Sequence, residues 1–455
     1  MAFQSTDPTT GASLRTYPTL TPDEVWAALD RCHRAQLAWS SVPVRERVAP
    51  LKELAAALRG GRKDLARTMT SEMGKPIAQA IAEVDKCALA CDYYAEWAEE
   101  QLAPVSATTD ATVSYWTYRP LGVVLGIMPW NFPFWQVVRF AVPTLTAGNG
   151  ALLKHAPNVP ECADRLEKLF ADAGYPKALF ANLYADLDTT GALIDHPRVR
   201  GVSVTGSVRA GRAVAERAGR GLKKCVLELG GSDPSLVLED ADLDLAASSC
   251  VQGRLLNTGQ SCIAAKRFVV VDAVREDFQS RVVERMEAAK VGDPGEAGTE
   301  LGPMARRDLR DDLHDQVRRS IDAGAELVLG GEVPARDGWW YPATVLAGVA
   351  PGMPAYEEEL FGPVASVLAA RDEEDAIRIA NDTSYGLGAS VYTQDAARGE
   401  RIAAERLEAG NCFVNGIVKS DPRLPFGGVK DSGFGRELSP LGILEFTNAK
   451  TVWVR

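Results

Sequence analysis

The sequence lacks the features of a membrane, secreted or nucleic-acid-binding protein. Its longest apolar run, Leu121–Trp130, is short and contains two glycines, so it is not a membrane-spanning candidate. The first residues, Met1–Pro8, have neither the basic nor the apolar region of a signal peptide. The 61 acidic residues outnumber the 50 lysines and arginines, and the net charge of −11 disfavours general nucleic-acid binding. We therefore expect a cytoplasmic protein that binds neither nucleic acid nor a membrane.

Residues that form disulfides or bind metals are also scarce. Eight cysteines in 455 residues form no disulfide framework, and there are only four histidines. Cys87 and Cys91 lie four residues apart in an alanine-rich helical stretch, and we interpret them as two small residues on a helix face rather than as metal ligands. We expect no bound metal, and reduced thiols in a reducing compartment.

The usual dinucleotide-binding fingerprint, Gly-x-Gly-x-x-Gly, is absent as well. In its place, a predicted strand, Val199–Thr205, runs into Gly206 and Ser207 at the start of a predicted helix. Gly206 permits a tight turn and Ser207 is a good N-cap, so the free amides at this helix end favour a pyrophosphate. Taken alone, the same pattern is also explained by simple helix capping.

The chain is long enough for two or three domains. Apolar residues at helical spacing predict helices over Pro22–Arg59 and Lys63–Leu102, and alternation predicts a strand over Thr108–Tyr118. From Leu121 onward, short apolar strands alternate with helices, which predicts mostly parallel, doubly wound α/β sheets in two domains that meet near Glu228. The predicted strands are Val123–Ile127, Gly150–Lys154, Val199–Thr205, Pro234–Leu238, Arg267–Val271 and Glu326–Leu329.

The most informative stretch is Asn257-Thr-Gly-Gln-Ser-Cys262, which places a single cysteine behind a glycine turn. A carboxylate, Glu228, precedes it in Leu227-Glu-Leu-Gly-Gly231. A nucleophile and a carboxylate base are components of covalent acyl chemistry. Together with Pro129-Trp-Asn-Phe-Pro133 and Glu359-Leu-Phe-Gly-Pro363, these stretches resemble, in order, the signature segments of the aldehyde dehydrogenase superfamily. The resemblance runs from about residue 6 to the C-terminus.

This resemblance implies an aldehyde dehydrogenase-like fold, with two doubly wound α/β domains and a small β element for oligomerisation. It implies a nucleotide-binding domain over residues 1–107 and 119–229, with a return at 431–445, and a catalytic domain over 230–430. The oligomerisation strands are expected at 108–118 and 446–455. Because the family pairs these strands between subunits, we expect a homodimer or a homotetramer.

The resemblance also assigns catalytic roles to three residues. Cys262 attacks the aldehyde, while Glu228 accepts its proton and later activates the hydrolytic water. The side-chain amide of Asn131 and the backbone N–H of Cys262 stabilise the oxyanion. The cofactor is expected at positions that the family uses for nucleotide binding, namely Trp130, Lys154, Pro157, Gly206, Ser207, Leu229, Glu359 and Phe361.

The prediction of cofactor preference rests on the residue at position 157. The family places Lys154 on the adenosine ribose, and many NAD-preferring members have a glutamate at the position of Pro157. Pro157 has no carboxylate that would repel a 2′-phosphate, and Lys154 is near enough in sequence to attract one. We therefore predict NADP as the cofactor, with NAD used at lower efficiency.

Arg139 and Ser420 carry the prediction of the substrate. They resemble residues that hold the far carboxylate in succinate-semialdehyde dehydrogenases, although Arg139 could equally be paired structurally. Some of these enzymes have a further arginine where this chain has Leu256, and alternation does not place Arg254 clearly in the substrate tunnel.

We expect oxidation of succinate semialdehyde to succinate through a cysteine thiohemiacetal and a thioester, with hydride transfer to NADP. One alternative is a broad-specificity medium-chain or aromatic aldehyde dehydrogenase with a neutral tunnel. Another, of a different class, is a non-catalytic structural homologue. The joint presence of Cys262, Glu228 and Asn131 argues against the latter.

Overall fold

The computed structural model describes residues 3–455, and within that range no helix is long and apolar enough to cross a membrane. The strands of the described range are β1 Phe3–Thr6, β2 Ser13–Tyr17, β3 Val105–Ser106, β4 Val113–Pro120, β5 Val123–Met128, β6 Gly150–His155, β7 Phe180–Asn182, β8 Val199–Thr205, β9 Lys224–Glu228, β10 Pro234–Val237, β11 Arg267–Val271, β12 Glu326–Leu329, β13 Thr344–Ala347, β14 Val364–Ala370, β15 Gly388–Tyr392, β16 Asn411–Val414, β17 Gly433–Phe434 and β18 Thr447–Val454.

The α-helices of the same range are α1 Pro22–Trp39, α2 Val44–Arg47, α3 Ala49–Met73, α4 Ile77–Gln101, α5 Trp135–Thr146, α6 Pro160–Asp172, α7 Leu187–Asp195, α8 Val208–Arg220, α9 Leu243–Leu255, α10 Arg275–Glu287, α11 Arg307–Asp322, α12 Pro354–Glu357, α13 Glu373–Asn381, α14 Ala396–Arg401 and α15 Ser439–Leu444.

Two large sheets carry the fold. The first has the order β17-β9-β8-β5-β6-β7 and the second has the order β12-β13-β14-β11-β10-β15-β16. Neighbouring strands are parallel except at one edge of each sheet, where β17 and β12 run antiparallel to their neighbours. The inner strands are almost entirely buried, as expected for parallel strands covered by helices on both faces. The predicted doubly wound α/β architecture is confirmed.

The chain passes from the first sheet to the second between Glu228 at the end of β9 and Pro234 at the start of β10. It later returns, because β17 pairs with β9 through Gly433 and Glu228. This return falls within the predicted range of residues 431–445. Glu228 therefore lies where the two sheets approach each other.

A third, antiparallel sheet has the order β18-β4-β3. The predicted strand Thr108–Tyr118 is wrong in its bounds, because β4 covers Val113–Pro120 and the two-residue β3 precedes it. The strand β18 lies within the predicted range 446–455 and pairs with β4 along its whole length. Side chains of this sheet are largely exposed, so the sheet lies outside the two main cores.

The two long helices predicted near the N-terminus are wrong in their bounds. The first prediction crosses a break at 40–43, where Pro43 restricts the residue before it and the first helix ends. The second predicted helix begins at Lys63, but the observed helix α3 already continues through Gly60 and Gly61, which are poor helix formers. Packing of the apolar face of α3 outweighs that local cost, and the helix ends at Gly74, whose φ of 75° gives a left-handed C-cap.

Candidate active site

A cavity of about 250 Å³ opens at the carboxyl ends of β5, β8 and β9 in the first sheet. Parallel strands leave their following loops at this edge, which is where open α/β sheets bind ligands. Eight of the predicted site residues line this one cavity: Trp130, Asn131, Gly206, Ser207, Leu229, Cys262, Glu359 and Phe361. The structure therefore brings the predicted nucleophile, oxyanion donor and nucleotide-binding turn together.

The loop that presents Cys262 has an unusual backbone. Asn257, Thr258 and Gly259 have φ values of 57°, 56° and 71°, which places three consecutive buried residues in the left-handed region. Such conformations cost roughly 1–3 kcal/mol at each non-glycine residue and persist where contacts enforce them. At Gly259 a side chain is also excluded by space, because a Cβ would lie 2.3 Å from the carbonyl oxygen of Gly362.

Hydrogen bonds hold this backbone in place. The side-chain amide of Asn257 donates to the carbonyl oxygens of Asn131 (2.7 Å) and Gln260 (3.0 Å). The Arg254 guanidinium donates to the carbonyl oxygen of Gly259 at 2.5 Å. Arg254 is fully buried, so it supports the nucleophile loop.

Asn131 is fixed beside that loop. Its Nδ2 donates to the carbonyl oxygen of Gln260 at 3.0 Å, and its Oδ1 accepts from Gln136 Nε2 at 3.1 Å. The second contact fixes the orientation of the amide, with its NH₂ group directed toward the nucleophile loop. A primary amide has two N–H donors, so the bond to Gln260 leaves one available for an oxyanion.

A buried ion pair supports Asn131 from below. Lys75 Nζ donates to the carbonyl oxygen of Asn131 at 2.8 Å and forms a salt bridge with Glu83. Glu83 in turn accepts from the backbone N–H groups of Phe134 and Trp135, both at 3.0 Å, at the start of α5. A carboxylate at a helix N-terminus is favoured by the helix dipole. The pair therefore ties α4 to the turn that carries Asn131.

The electrostatic environment of Cys262 opposes spontaneous ionisation. Burial raises the pKa of the Cys262 thiol to about 12, although the positive charges of Lys266 and Arg139 act in the opposite direction. Lys266 Nζ lies directly behind the nucleophile, donating to the carbonyl oxygens of Ser261 (2.9 Å) and Cys262 (2.7 Å). A thiol with such a raised pKa needs a base to become a nucleophile.

Glu228 is the candidate base. It is the last residue of β9 and is buried, and both of its carboxyl oxygens lack a hydrogen-bond partner among the described residues. Burial raises the pKa of Glu228 well above its usual range, and Arg139 lowers it in opposition. The carboxyl group lies against Gly427, where a Cβ would come within 2.7 Å of Oε1. It adjoins the cavity through Leu229 and Gly230 but does not line it.

The nucleotide-binding turn is formed as the sequence predicts. Ser207 Oγ accepts from the backbone N–H of Ala210 at 3.3 Å and caps α8, and Ser207 itself is exposed. The Gly206 N–H is already bonded to the carbonyl oxygen of Glu228. The open start of α8 and the lack of a side chain at Gly206 fit a pyrophosphate in this cavity.

Three other predicted cofactor residues, Trp130, Glu359 and Phe361, also line the cavity. Trp130 and Phe361 meet edge to face, with ring centroids 5.9 Å apart. Glu359 Oε1 accepts from the backbone N–H of Gly231 at 3.1 Å and lies 3.4 Å from Lys266 Nζ. Lys154, within β6, and Pro157, after its end, do not line the cavity.

Arg139 and Ser420 do not line the cavity that contains Cys262. Arg139 is buried, forms a salt bridge with Glu437, and donates to Thr205 Oγ1 at 3.3 Å. Its guanidinium carbon lies 4.7 Å from the centroid of the Phe426 ring. Arg139 thus already has an anionic partner, which is the structural pairing considered above. Ser420 Oγ instead accepts from Lys86 Nζ (2.6 Å) and Trp135 Nε1 (3.2 Å).

Sequence reasoning missed four charged residues that support this site: Lys75, Glu83, Lys86 and Lys266. Lys266 follows Cys262 by four residues, and Lys75 stands between a glycine and a proline. Glu83 and Lys86 are three residues apart on one predicted helix, so they share a face. These spacings could have drawn attention to them, but their partners lie far away in the sequence.

Comparisons with known proteins agree with this geometry. Residues 1–452 match the aldehyde dehydrogenase family model. The chain is 49% identical to succinate semialdehyde dehydrogenase (NAD(P)+) Sad of Escherichia coli, covering 99% of this chain and 97% of that protein. It is 46% identical to succinate-semialdehyde dehydrogenase (NADP+) of Deinococcus radiodurans, with coverages of 99% and 94%. The crystal structure of succinic semialdehyde dehydrogenase from Streptococcus pyogenes with NADP+ aligns over all of both chains, at 38% identity and a TM-score of 0.97.

Proposed function

Because this chain belongs to the aldehyde dehydrogenase family, we propose that it oxidises succinate semialdehyde to succinate with NADP as the preferred cofactor. The observation that carries the proposal is the single cavity in which Cys262, Asn131 and the Gly206–Ser207 turn meet. Relatives named as succinate-semialdehyde dehydrogenases at 45–49% identity support the choice of substrate and cofactor.

In the first step, the Cys262 thiol loses its proton to Glu228, directly or through a water, and the sulfur adds to the aldehyde carbon. The aldehyde oxygen becomes an oxyanion, which accepts from the free N–H of Asn131 Nδ2 and from the backbone N–H of Cys262. The product of this step is a thiohemiacetal. Lys266 supports it by fixing the carbonyl group of Ser261, which lies in the same peptide plane as the Cys262 N–H, so that this N–H keeps its direction.

NADP, when bound, supplies the acceptor for the hydride that leaves the thiohemiacetal carbon. The start of α8 would hold the pyrophosphate, and Glu359 would hold the nicotinamide ribose. Loss of the hydride leaves a succinyl thioester on Cys262. Glu228 releases the proton that it took from Cys262 to solvent and, as a carboxylate again, takes a proton from a water that attacks the thioester carbon. The Cys262 sulfur leaves as a thiolate as succinate forms, and Glu228 returns the proton to it, which regenerates the thiol.

Glu228 must change its protonation state during this cycle. In its buried position against Gly427 the raised pKa favours the neutral acid, whereas proton abstraction requires the carboxylate. Arg139 favours the carboxylate, while Glu437 opposes it. We therefore assign to the Arg139–Glu437 pair the additional role of adjusting the basicity of Glu228.

We also propose the domain roles that the family resemblance implies. Residues 1–107, 119–229 and 431–445 form the nucleotide-binding domain, and residues 230–430 form the catalytic domain. The pairing of β17 with β9 supports the return of the chain to the first domain. The exposed sheet of β18, β4 and β3 is the proposed contact between subunits.

Initial rates of reduced-cofactor formation test the proposal. With NADP, we expect kcat/KM for succinate semialdehyde to exceed that for pentanal and benzaldehyde by at least tenfold, and NADP to exceed NAD. Cys262→Ala, checked for retained NADP binding, should be inactive with every aldehyde. A preference for a neutral or aromatic aldehyde would instead favour the broad-specificity alternative, and inactivity toward all aldehydes would favour the structural homologue.

A further inference from the structure

Gln136 lies in the first turn of α5 and lines the same cavity as Asn131 and Cys262. It is only 2% exposed, and its backbone N–H donates to the carbonyl oxygen of Phe132 at 3.1 Å. Its side-chain Nε2 donates to Asn131 Oδ1 at 3.1 Å. Gln136 is therefore a buried polar residue held directly against the oxyanion donor.

The hydrogen bonds from Gln260 through Asn131 to Gln136 can run in one direction only. A backbone carbonyl oxygen only accepts, so the Asn131 atom that lies 3.0 Å from the Gln260 carbonyl oxygen must be the amide nitrogen. Asn131 Oδ1 then faces Gln136, and the Gln136 atom that meets it must be the amide nitrogen as well. Among residues 3–455, no other group donates to Asn131 Oδ1.

The other end of the Gln136 amide does nothing for stability. Its Oε1 is buried and has no hydrogen-bond partner among the described residues. A buried acceptor without a donor destabilises a fold, and an apolar side chain of the same length would avoid that cost. The contact from Nε2 to Asn131 is thus the observation that explains a glutamine at this position.

We propose that Gln136 is a positioning residue of the reaction, which sets the direction of the Asn131 amide so that an N–H meets the oxyanion. This inference rests on the proposed function, in which Asn131 stabilises the oxyanion. Without a donor, Asn131 Oδ1 becomes an unpaired buried acceptor, and rotation of the amide toward the cavity relieves it. The Gln260 carbonyl oxygen keeps a donor after such a rotation, because Asn257 Nδ2 also donates to it. An amide oxygen in the place of the N–H would repel the oxyanion.

Stopped-flow rates of the first turnover test the inference in Gln136→Met, Asn131→Ala and the double variant. Methionine keeps the length of the side chain and removes the donor, so we expect a loss of about 10- to 100-fold in Gln136→Met. The loss should be the same with succinate semialdehyde and pentanal, since both form an oxyanion. The double variant should match Asn131→Ala within about twofold, because Gln136 acts only through Asn131. Gln252→Met, at an exposed glutamine of α9, is the matched control.

The variant Gln136→Glu separates the direction of the hydrogen bond from the shape of the side chain. A neutral carboxyl group at this position donates to Asn131 Oδ1 as Nε2 does, whereas a carboxylate only accepts and draws the Asn131 NH₂ group toward itself. The neutral form is present below the pKa of the carboxyl group. The rate of this variant relative to the unmutated enzyme should therefore fall as pH rises from about 5 to about 9. The relative rate of Gln136→Met should not change with pH.

The results that would overturn the assignment are distinct from those that would overturn the proposed function. An undiminished rate in Gln136→Met, a further loss of the same size when it is added to Asn131→Ala, or a relative rate of Gln136→Glu that is constant with pH would each show that Gln136 does not direct the Asn131 amide. A full rate in Asn131→Ala would instead remove the oxyanion role on which the inference rests. An unfolding temperature close to that of the unmutated protein shows that each variant folds.

Discussion

We propose that cofactor preference depends on one residue, Pro157. An acid at this position would place a negative charge next to the 2′-phosphate of NADP. For Pro157→Glu we predict a loss of kcat/KM with NADP by about 5- to 150-fold, which corresponds to roughly 1–3 kcal/mol of repulsion. We also expect kcat/KM with NAD to rise in this variant. Steady-state kinetics with both cofactors measures the effect.

Pro157→Gln is the matched control, because it makes the same backbone change without the charge. If the glutamine variant loses as much NADP efficiency as the glutamate variant, the effect comes from the proline and not from repulsion. Preference for NAD in the unmutated enzyme would by itself contradict our interpretation of Pro157.

At the residue scale, the sequence predicted the groups that stand in recognisable motifs and missed those that support them. Cys262, Asn131 and Glu359 lie in short segments whose spacing can be read directly. Lys75 and Lys266 stabilise the same site through backbone carbonyl groups. Contacts to carbonyl groups leave no trace in residue type, so only the folded chain shows them.

At the scale of elements, α4 and α5 fix the turn that carries Asn131. Glu83→Gln keeps the size of the side chain but removes the charge that binds Lys75 and the start of α5. We predict a fall in kcat of about 10- to 100-fold, since small displacements of an oxyanion donor have large effects, with little change in KM for NADP. Unfolding should also begin at lower temperature, because buried Lys75 loses its partner.

Glu99→Gln is the control for this prediction, since it makes the same change at an exposed position of α4. Stopped-flow measurement of the first turnover isolates the chemical step. If Glu83→Gln is less stable but retains the full rate of thiohemiacetal oxidation, the Lys75–Glu83 pair has only a structural role.

The elements themselves were predictable where the local pattern and the tertiary structure agree. The strands β8, β11 and β12 have the predicted bounds, since each is a short run of suitable residues between clear breaks. The bounds of α3 were not predictable, because its two central glycines favour a break and only packing against α4 overrides them. The αL turn before Cys262 depends likewise on Asn257 contacts from distant segments.

At the scale of the whole molecule, β18 forms the exposed edge of the third sheet. Trp453 and Val454 on this strand are each 48% exposed. An exposed edge strand with large apolar side chains is a liability unless another chain covers it. We predict at least a dimer at micromolar concentration, and a shift toward smaller species in Trp453→Lys.

Light scattering coupled to size-exclusion chromatography measures the mass of the unmutated protein and of Trp453→Lys. Leu222→Lys, at an exposed leucine on the loop after α8, should leave the oligomer unchanged. A monomeric unmutated protein would contradict the proposed role of this sheet.

We propose that Cys262 carries the substrate as a succinyl thioester before Glu228-dependent hydrolysis. Glu228→Gln retains the buried shape but takes no proton from Cys262 or from water. The thiol can still lose its proton to solvent at alkaline pH, so acylation becomes slow while hydrolysis becomes slower still, and the thioester should accumulate. After mixing this variant with succinate semialdehyde and NADP and quenching in acid, mass spectrometry should find one succinyl group on the peptide that contains Cys262. Reduced cofactor should form in a burst of about one equivalent per active site.

Omitting NADP should abolish the modification, because the thiohemiacetal reverts to free aldehyde on quenching. We predict a succinyl group on Cys262 only when NADP is present. Formation of reduced cofactor without any acyl group on Cys262, or an acyl group on another residue, would contradict it.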